Sequence, residues 1–223
     1  MKTAIVIGAT GLVGSNLVEL LLRDTRFERV RVFARKSTGL KNNKLEEHIV
    51  SFDDTESWKR KLTGDVLYSA MGTTLKVAGS KDAQYKIDYT YQYNVAKAAA
   101  ANNVPEYVLV SSAGSNPDAK IFYSRMKGEL ERDVKKLPFE TIHIIRPGML
   151  GSGRKENRKG EQIGISLMNA ISIIPGLGGL KPIAGREVAQ AMINATFKQK
   201  VGIHSYTMDG VFKLAKLAPV AIH

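Results

Sequence analysis

The chain has 223 residues, of which 43% are hydrophobic and 24% are charged. This balance excludes a disordered, collagen-like or coiled-coil chain and predicts one large folded domain over residues 1–223. The absence of cysteine excludes a disulfide scaffold, a thiolate zinc site, an iron–sulfur centre and a cysteine nucleophile. It fits a reducing compartment, and we expect a cytoplasmic location.

The formal net charge of +12 would attract nucleic acid, acidic membranes or a phosphorylated small molecule. Lysine and arginine are spread along the chain without long runs or interleaved aromatic residues, so nucleic acid is not expected as a partner. Polar residues and glycines interrupt the uncharged stretch after Lys2, and no later stretch approaches the length of a membrane span. We therefore expect no membrane partner.

Strand-like and helix-like segments alternate along the chain. Residues 3–7 form an apolar run without alternation, typical of a strand buried on both faces, and leucines at helical spacing follow over residues 12–22. Further strands are predicted over residues 30–33, 47–52, 65–70, 107–111, 141–145 and 203–207. Further helices are predicted over residues 85–102, 123–136 and 186–198, and a last helix ends the chain.

This alternation predicts an α/β fold with a doubly wound parallel sheet. The pattern continues unbroken to about Arg146. Residues 148–164 are rich in glycine and lysine and lack clear periodicity, so we interpret them as a site loop. Residues about 148–223 are expected to contribute a small C-terminal, substrate-side lobe to the same domain.

Three glycines lie in the turn between the first strand and the first helix. Gly8 is suited to the tight turn, Gly11 to a close approach of backbone N–H groups to a pyrophosphate, and Gly14 to packing of the helix on the strand. An ordinary flexible turn is the alternative. The placement between a strand and a helix favours a dinucleotide site.

Two cations stand at the end of the second strand, where an NAD site would place an acid for the ribose hydroxyl. Arg35 and Lys36 would instead pair with a 2′-phosphate, so NADP (NADPH) is predicted as cofactor. A solvated strand end is the alternative for both. After the third strand, Asp53 is predicted either to accept a hydrogen bond from the adenine amine or, like Asp54, to cap a helix.

The fourth strand ends in small residues at a carboxyl edge, where a doubly wound sheet binds its ligand. Gly72 is placed beside the cofactor ribose, with a plain connecting loop as the alternative. Beyond the sixth strand, Arg146 and the loop residues Arg154, Lys155 and Arg158 either hold phosphates or are solvated. The four histidines show no metal-ligand spacing, and no metal site is expected.

Tyr123 and Lys127 are four residues apart, which places both side chains on one face of the predicted helix. A tyrosine needs a nearby positive charge to reach the phenolate near neutral pH, and Lys127 is expected to provide it. The strand before this helix ends in Ser111 and Ser112. Ser112 is the preferred catalytic hydroxyl for a substrate carbonyl and Ser111 is assigned to the cofactor site; a surface contact and helix capping are the alternatives.

These motifs together resemble the atypical short-chain dehydrogenases/reductases. The glycine spacing G-x-x-G-x-x-G, the Tyr123/Lys127 pair and the segment 146–148 carry the likeness, which covers nearly the whole chain. The branch of Tat-interactive protein is similar at further positions, among them residues 72–74, 110–112 and 127–129. The chain is shorter than extended family members that carry a full substrate domain.

The resemblance implies an NAD(P)-binding Rossmann fold and Tyr123 as proton donor or acceptor. It also implies NADPH bound at these residues: Thr10, Gly11, Leu12, Val13, Arg35, Lys36, Met71, Gly72, Tyr123, Lys127, Leu150 and Arg158. The leading hypothesis is an NADPH-dependent oxidoreductase that reduces a carbonyl of an unidentified small molecule. The second is a non-catalytic, NADPH-sensing regulatory protein. A homodimer is an open alternative to a monomer.

Overall fold

A computed structural model describes residues 1–151, 182–198 and 201–217. The strands of its main sheet are β1 Lys2–Ile7, β2 Phe27–Ala34, β3 Leu45–Ile49, β4 Val66–Ser69, β5 Glu106–Val110, β6 Thr141–Arg146 and β9 Gly202–Thr207. They pair in parallel in the order β3-β2-β1-β4-β5-β6-β9. Two short strands, β7 Leu150–Gly151 and β8 Ile183–Ala184, pair separately. The predicted doubly wound parallel sheet is confirmed.

Helices cover both faces of the sheet. They are α1 Leu12–Arg23, α2 Thr55–Trp58, α3 Leu75–Ala78, α4 Lys81–Tyr85, α5 Gln92–Ala101, α6 Phe122–Val134, α7 Gly185–Thr196 and α8 Asp209–Ala215. A 3₁₀ turn, Lys59–Lys61, follows α2, and a π-helical segment, Lys86–Tyr91, joins α4 to α5. Among the described residues no helix is long and apolar enough to cross a membrane.

The apolar character of β1 reflects burial on both faces. Ala4 and Val6 belong to the core that includes α1 and α7, while Ile5 and Ile7 belong to the core that includes α5 and α6. Each of these four residues therefore packs against one helical layer or the other. This arrangement fixes the centre of the sheet and holds the carboxyl ends of β1 and β4 side by side, where strand order reverses and α/β sheets bind ligands.

Two predicted elements differ from the structure. The third strand covers Leu45–Ile49, and the chain turns away after Val50, whose N–H still bonds to Ala34, so that Phe52 is buried against Trp58. The predicted helix over residues 85–102 is divided into a π-helical segment and α5. Of the predicted lobe, residues 152–181 lie outside the described part, so the lobe stays a prediction. Its described remainder contributes β9 to the edge of the main sheet.

A buried titratable pair lies at the amino edge of the sheet. Glu106 opens β5, and its Oε1 is 3.5 Å from Nε2 of His143 on β6. Burial raises the pKa of Glu106 to about 7, although Lys2 opposes this. Burial, together with the charges of His204 and Lys198, lowers the pKa of His143 to about 4. The folded chain therefore favours the neutral form of both groups.

Replacement Glu106→Gln is expected to stabilise the protein mainly at alkaline pH. Glu106 ionises at lower pH in the unfolded chain, so its stabilising contribution is complete below about pH 4.5 and is lost as pH rises to about 7. The gain in free energy of unfolding should be larger at pH 8 than at pH 5 by about 2 kcal/mol. Urea unfolding at both pH values measures it. The exposed Glu140→Gln is the control, and equal gains at both pH values would contradict this prediction.

Candidate cofactor and active site

The glycine turn after β1 lies against the end of β4 without room for side chains. Gly8 has φ +79°, and a Cβ there would overlap the backbone of Ala70 and Met71. A Cβ at Gly14 would overlap the backbone of Gly8. Gly8 is needed for its positive φ, and both glycines are needed because another part of the backbone lies too close for a side chain. The turn thus brings the start of α1 to the carboxyl edge of the sheet, as the sequence predicts.

Substitution Gly8→Ala should destabilise the protein far more than Gly39→Ala. Both residues have positive φ, but a Cβ at Gly39 would meet nothing within 4 Å. Gly39→Ala should therefore cost about 1 kcal/mol for the left-handed backbone alone. Gly8→Ala adds a backbone clash and should cost about 3 kcal/mol or more. Thermal and urea unfolding measure the difference, and similar losses at the two positions would argue against the close approach.

The N-terminus of α1 is suited to an anion. Gly11 is the N-cap residue and has no side chain to cap the helix, and the first turn carries no acidic residue. The first N–H groups of a helix lack intrahelical partners and lie at the positive end of the helix dipole. Leu12 and Val13 line the cleft at this point. The turn therefore fits a pyrophosphate group.

Arg35 and Lys36 follow β2 at one end of the cleft, and both are exposed. Within the described residues neither forms an ion pair, and no carboxylate takes the position of an NAD-type acid among the groove-lining residues. The groove therefore presents two unneutralised cations at the end where the sequence predicts the 2′-phosphate.

Glu47 on β3 organises the loop that follows these cations. Its carboxylate accepts hydrogen bonds from the Ser37 hydroxyl (2.6 Å) and from the backbone N–H (2.7 Å) and hydroxyl (2.6 Å) of Thr38. Burial opposes ionisation of Glu47, but these hydrogen bonds hold its pKa below the usual value. Sequence reasoning missed Glu47. The signal that could have revealed it is an acidic residue on β3, the edge strand that pairs with β2. Glu47 lies opposite Val32 in this pairing.

Asp53 lies at the rim near the same end. Its Oδ1 is 2.7 Å from Nζ of Lys86, and both side chains are exposed. Hydrogen bonds from Lys86 and Tyr91 hold the pKa of Asp53 below its usual value. Its role toward adenine stays a prediction. Asp54 is the N-cap residue of α2, as the capping alternative predicts. Its side chain makes no capping hydrogen bond, so capping by the carboxylate is wrong.

Two cavities join into one groove along the carboxyl edge. The first, of about 1410 Å³ and open to solvent, extends from Arg35 and Lys36 past Thr10. The second, of about 820 Å³ including space open to solvent, extends from Leu12 to Tyr123 and Lys127. They share five lining residues: Gly11, Ala70, Met71, Gly72 and Thr73. The groove therefore connects the predicted 2′-phosphate end with the predicted catalytic residues.

The two serines after β5 differ in their hydrogen bonds. Ser111 Oγ is 2.7 Å from Ser115 Oγ, and Ser115 Oγ also donates to the carbonyl of Ser112 (2.7 Å). Ser112 Oγ has no hydrogen-bond partner in the part of the chain that the structure describes, and both serines line the cleft. The hydroxyl available to a ligand is that of Ser112, the one preferred from the sequence.

Tyr123 and Lys127 lie on the first turns of α6 and line the same end of the groove. Lys127 Nζ is 5.9 Å from the centroid of the Tyr123 ring. The helix reaches this position because Gly128 packs against the loop at Asn116 and Pro117, where a Cβ would overlap the backbone. The structure thus brings Tyr123 and Lys127 together with Ser112.

Asp88 is an acidic residue that lines this end of the groove, and sequence reasoning missed it. Its Oδ1 is 3.0 Å from Lys127 Nζ, and both side chains are almost fully buried. Burial raises the pKa of Asp88 and Lys127 opposes that rise. Burial also opposes protonation of Lys127, but the charges of Asp88 and Tyr123 raise its pKa above the usual value. No sequence motif marks Asp88, which lies inside the predicted helix.

The pKa of Tyr123 differs in direction from the sequence-based expectation. Lys127 does lower it, as predicted, but burial raises it by more and Asp88 adds to the rise. The net pKa therefore lies above the ordinary value for tyrosine. In this structure Tyr123 holds its proton at neutral pH.

The segment after β6 contributes less than the sequence predicts. Leu150 is buried and lines the cleft with Pro147 and Gly148. The guanidinium of Arg146 forms a two-pronged pair with Glu131 and does not line the cleft, so it is engaged elsewhere. Arg154, Lys155 and Arg158 lie outside the described residues. Within those residues, no cluster of three or more His, Asp or Glu could hold a metal ion.

Comparison with known proteins gives the family. The profile of a family described as NAD(P)H-binding matches residues 8–172. The chain belongs to this NAD(P)H-binding family. The matched region includes the glycine turn, the two cations and the Tyr123/Lys127 pair. The coarser cofactor prediction, a nicotinamide dinucleotide of either kind, is thus confirmed.

Curated relatives cover nearly the whole chain. "Protein fmp52, mitochondrial" from Aspergillus clavatus is 34% identical over 91% of this chain and 90% of its own length. "Protein FMP52, mitochondrial" from Candida albicans is 35% identical over 92% and 91%. These names contradict the cytoplasmic location expected from the absence of cysteine. That expectation was wrong because missing cysteine indicates only a reducing environment and does not identify the compartment.

Solved structures share the fold at low sequence identity. A UDP-glucose 4-epimerase from Thermotoga maritima matches with a TM-score of 0.67 and 15% identity, over 96% of this chain and 81% of that one. A short-chain dehydrogenase/reductase superfamily protein from Agrobacterium tumefaciens, with bound NAD, matches with a TM-score of 0.65 and 16% identity, over 92% and 77%. The predicted likeness to the short-chain dehydrogenase/reductase fold is confirmed.

Proposed function

We propose that this NAD(P)H-binding protein is an NADPH-dependent oxidoreductase that reduces a carbonyl group of a small molecule. One observation carries the proposal. A single groove leads from Arg35 and Lys36, which form no ion pair among the described residues, past the start of α1, to Ser112 and Tyr123. This is the order of groups that a dinucleotide with a 2′-phosphate at one end and a reactive ring at the other requires.

The preference for NADPH over NADH rests on the charges at the adenosine end. The Arg35 guanidinium offers a planar fork of donors to a phosphate, and Lys36 adds a point charge. Glu47 holds the following loop in place through Ser37 and Thr38, so the cations follow a fixed strand end. An acid that would accept the ribose hydroxyls of NADH is missing from the lining residues of the groove's described part.

The proposed reaction divides the work among three side chains. Bound NADPH supplies the hydride. The hydroxyl of Ser112 donates a hydrogen bond to the carbonyl oxygen, and Tyr123 transfers its phenolic proton to that oxygen as the alcohol forms. Lys127 would bind the hydroxyls of the nicotinamide ribose. Tyr123 then recovers a proton from solvent, which restores the starting state.

A fluorescence titration comparing NADPH with NADH, followed by a screen of aldehydes, ketones and quinones, tests this function. We expect tighter binding of NADPH and loss of NADPH absorbance with at least one carbonyl class. The alternative, an NADPH-sensing regulator, predicts tight binding without substrate-dependent oxidation across the screen. Failure of the wild-type protein to bind either nucleotide would contradict both.

We also propose that the protein's partners are small molecules and, at most, a second copy of itself. Nucleic acid and membranes are not proposed as partners. Sedimentation of the pure protein tests the homodimer, and binding to duplex DNA at low salt tests the exclusion of nucleic acid. The names of the curated relatives support a mitochondrial location, which cell fractionation would test.

A further inference from the structure

Asp88 connects three parts of the groove. It lies in the π-helical segment between α4 and α5, a type of irregularity often found at functional sites. Its Oδ1 is 3.0 Å from Lys127 Nζ, and its Oδ2 accepts a hydrogen bond of 2.8 Å from the backbone N–H of Thr73. One buried carboxylate therefore holds both the lysine of α6 and the loop after β4.

We propose that Asp88 is a positioning residue that fixes Lys127 and the Thr73 loop and offsets the lysine's charge, so that Tyr123 keeps its proton in the unliganded site. This inference rests on the proposed function and deepens it. The protonated phenol is the form from which carbonyl reduction starts, because the alcohol product takes its proton from it.

A chain of hydrogen bonds holds the Thr73 loop in place. The Gln84 amide donates to the carbonyl of Thr73 (3.0 Å), so both backbone groups of Thr73 are held from the α4–α5 segment. The Gln92 amide donates to the carbonyl of Asp88 (2.6 Å), and the Ser69 hydroxyl donates to Gln92 (2.7 Å). Gly72 and Thr73 line both halves of the groove. The position of Asp88 therefore sets the wall that the cofactor would contact.

The groups that face Asp88 and Lys127 determine the electrostatic field at Tyr123. Lys127 is the cation beside Asp88, and Tyr123 is the phenol at the same end of the groove. Glu131, one turn further along α6, pairs with Arg146 of β6 and with Lys135. Asp88 and Lys127 thus form a buried pair without net charge, and the field that would favour the phenolate is largely cancelled at Tyr123.

The test measures the ionisation of Tyr123 directly in the whole protein. Tyrosine labelled with carbon-13 at the phenol carbon is titrated by NMR, and the Tyr123→Phe variant assigns its signal. In Asp88→Asn the positive charge of Lys127 is no longer offset, so the pKa of Tyr123 should fall by about one unit or more. The affinity for NADPH should fall several-fold at the same time, because the Thr73 loop loses a charged anchor.

A double variant keeps the test decisive if Asp88→Asn alone fails to fold. Asp88→Asn combined with Lys127→Gln replaces the buried pair by neutral groups of similar size, and the Tyr123 titration should return close to that of the wild type. Asp133→Asn on α6, whose carboxylate pairs with Arg132 and Lys136 outside the cleft, is the matched control and should leave Tyr123 unchanged. An unchanged or higher Tyr123 pKa in Asp88→Asn would overturn the proposal.

These outcomes are separate from a failure of the proposed function. The tyrosine titration needs neither cofactor nor substrate, so it tests Asp88 even if the wild-type protein binds no nucleotide. If the protein does reduce a carbonyl, Asp88→Asn should shift the pH profile of the reaction toward lower pH by the same amount as the NMR titration. A purely structural role for Asp88 would lower activity without moving that profile.

Discussion

Changing Arg35→Asp should weaken the binding of NADPH by on the order of 100-fold while leaving the affinity for NADH within a few-fold of the wild type. The substitution removes a charged fork of donors from the 2′-phosphate and places a carboxylate beside it. NADH has no 2′-phosphate, and the new carboxylate accepts hydrogen bonds from its ribose hydroxyls. Parallel fluorescence titrations with the two nucleotides measure the ratio.

Lys41→Asp is the control for this experiment. It makes the same change of charge in the loop after β2, and Lys41 is exposed but does not line the groove. A general effect of net charge would weaken NADPH equally in both variants. Equal losses of NADPH and NADH affinity in Arg35→Asp would show that Arg35 supports the loop and does not select the phosphate, and the NADPH preference would then need another explanation.

Changing Tyr123→Phe should lower the rate of carbonyl reduction by about 100-fold to 10,000-fold, the range for removal of a general acid. The ring remains, so packing in the cleft and the affinity for NADPH should change little. Ser112 and Lys127 are still present, but neither is assigned the transfer of the proton. Single-turnover oxidation of NADPH, measured with the carbonyl found by the screen, separates this loss from any change in binding.

Tyr93→Phe is the matched control for the loss of a phenol hydroxyl. Tyr93 stacks on Tyr89 at a ring distance of 5.9 Å and lies outside the groove lining. The Tyr93→Phe variant should reduce the carbonyl at the wild-type rate. Retained activity in Tyr123→Phe would defeat the mechanism, and a water or Ser112 would then have to supply the proton.

Much of the fold could be predicted because its signals are local. The apolar run of β1 has no alternation, since helices cover both faces of the strand. The glycines at positions 8 and 14 are required by backbone approaches that the strand–turn–helix order already implies. The irregular parts were missed. The π-helical segment keeps helical spacing in the sequence, so periodicity does not reveal its extra residue per turn.

The residues of the candidate site also divide into those with a local sequence signal and those without one. Ser112, Tyr123 and Lys127 could be found because their spacing and their places after β5 and on α6 bring them together. Asp88 and Glu47 could not, because their partners lie 39 and 9 to 10 residues away in the chain and meet them only through tertiary packing. The direction of the Tyr123 pKa shift could not be predicted either, because burial and the charge of Asp88 decide it.

The buried Glu106 lies at the opposite edge of the sheet from the groove. Glu106 opens β5 and Ser111 follows its last residue, so at the usual rise of a strand about 16 Å separates the two positions. Arg35 follows β2, three strands away from β5, so it lies farther still from Glu106. Free energies of substitutions this far apart usually add. Alkaline tolerance and nucleotide choice are therefore independent traits of this scaffold, and Glu106→Gln could be combined with Arg35→Asp to obtain a sturdier, NADH-accepting variant without either change undoing the other.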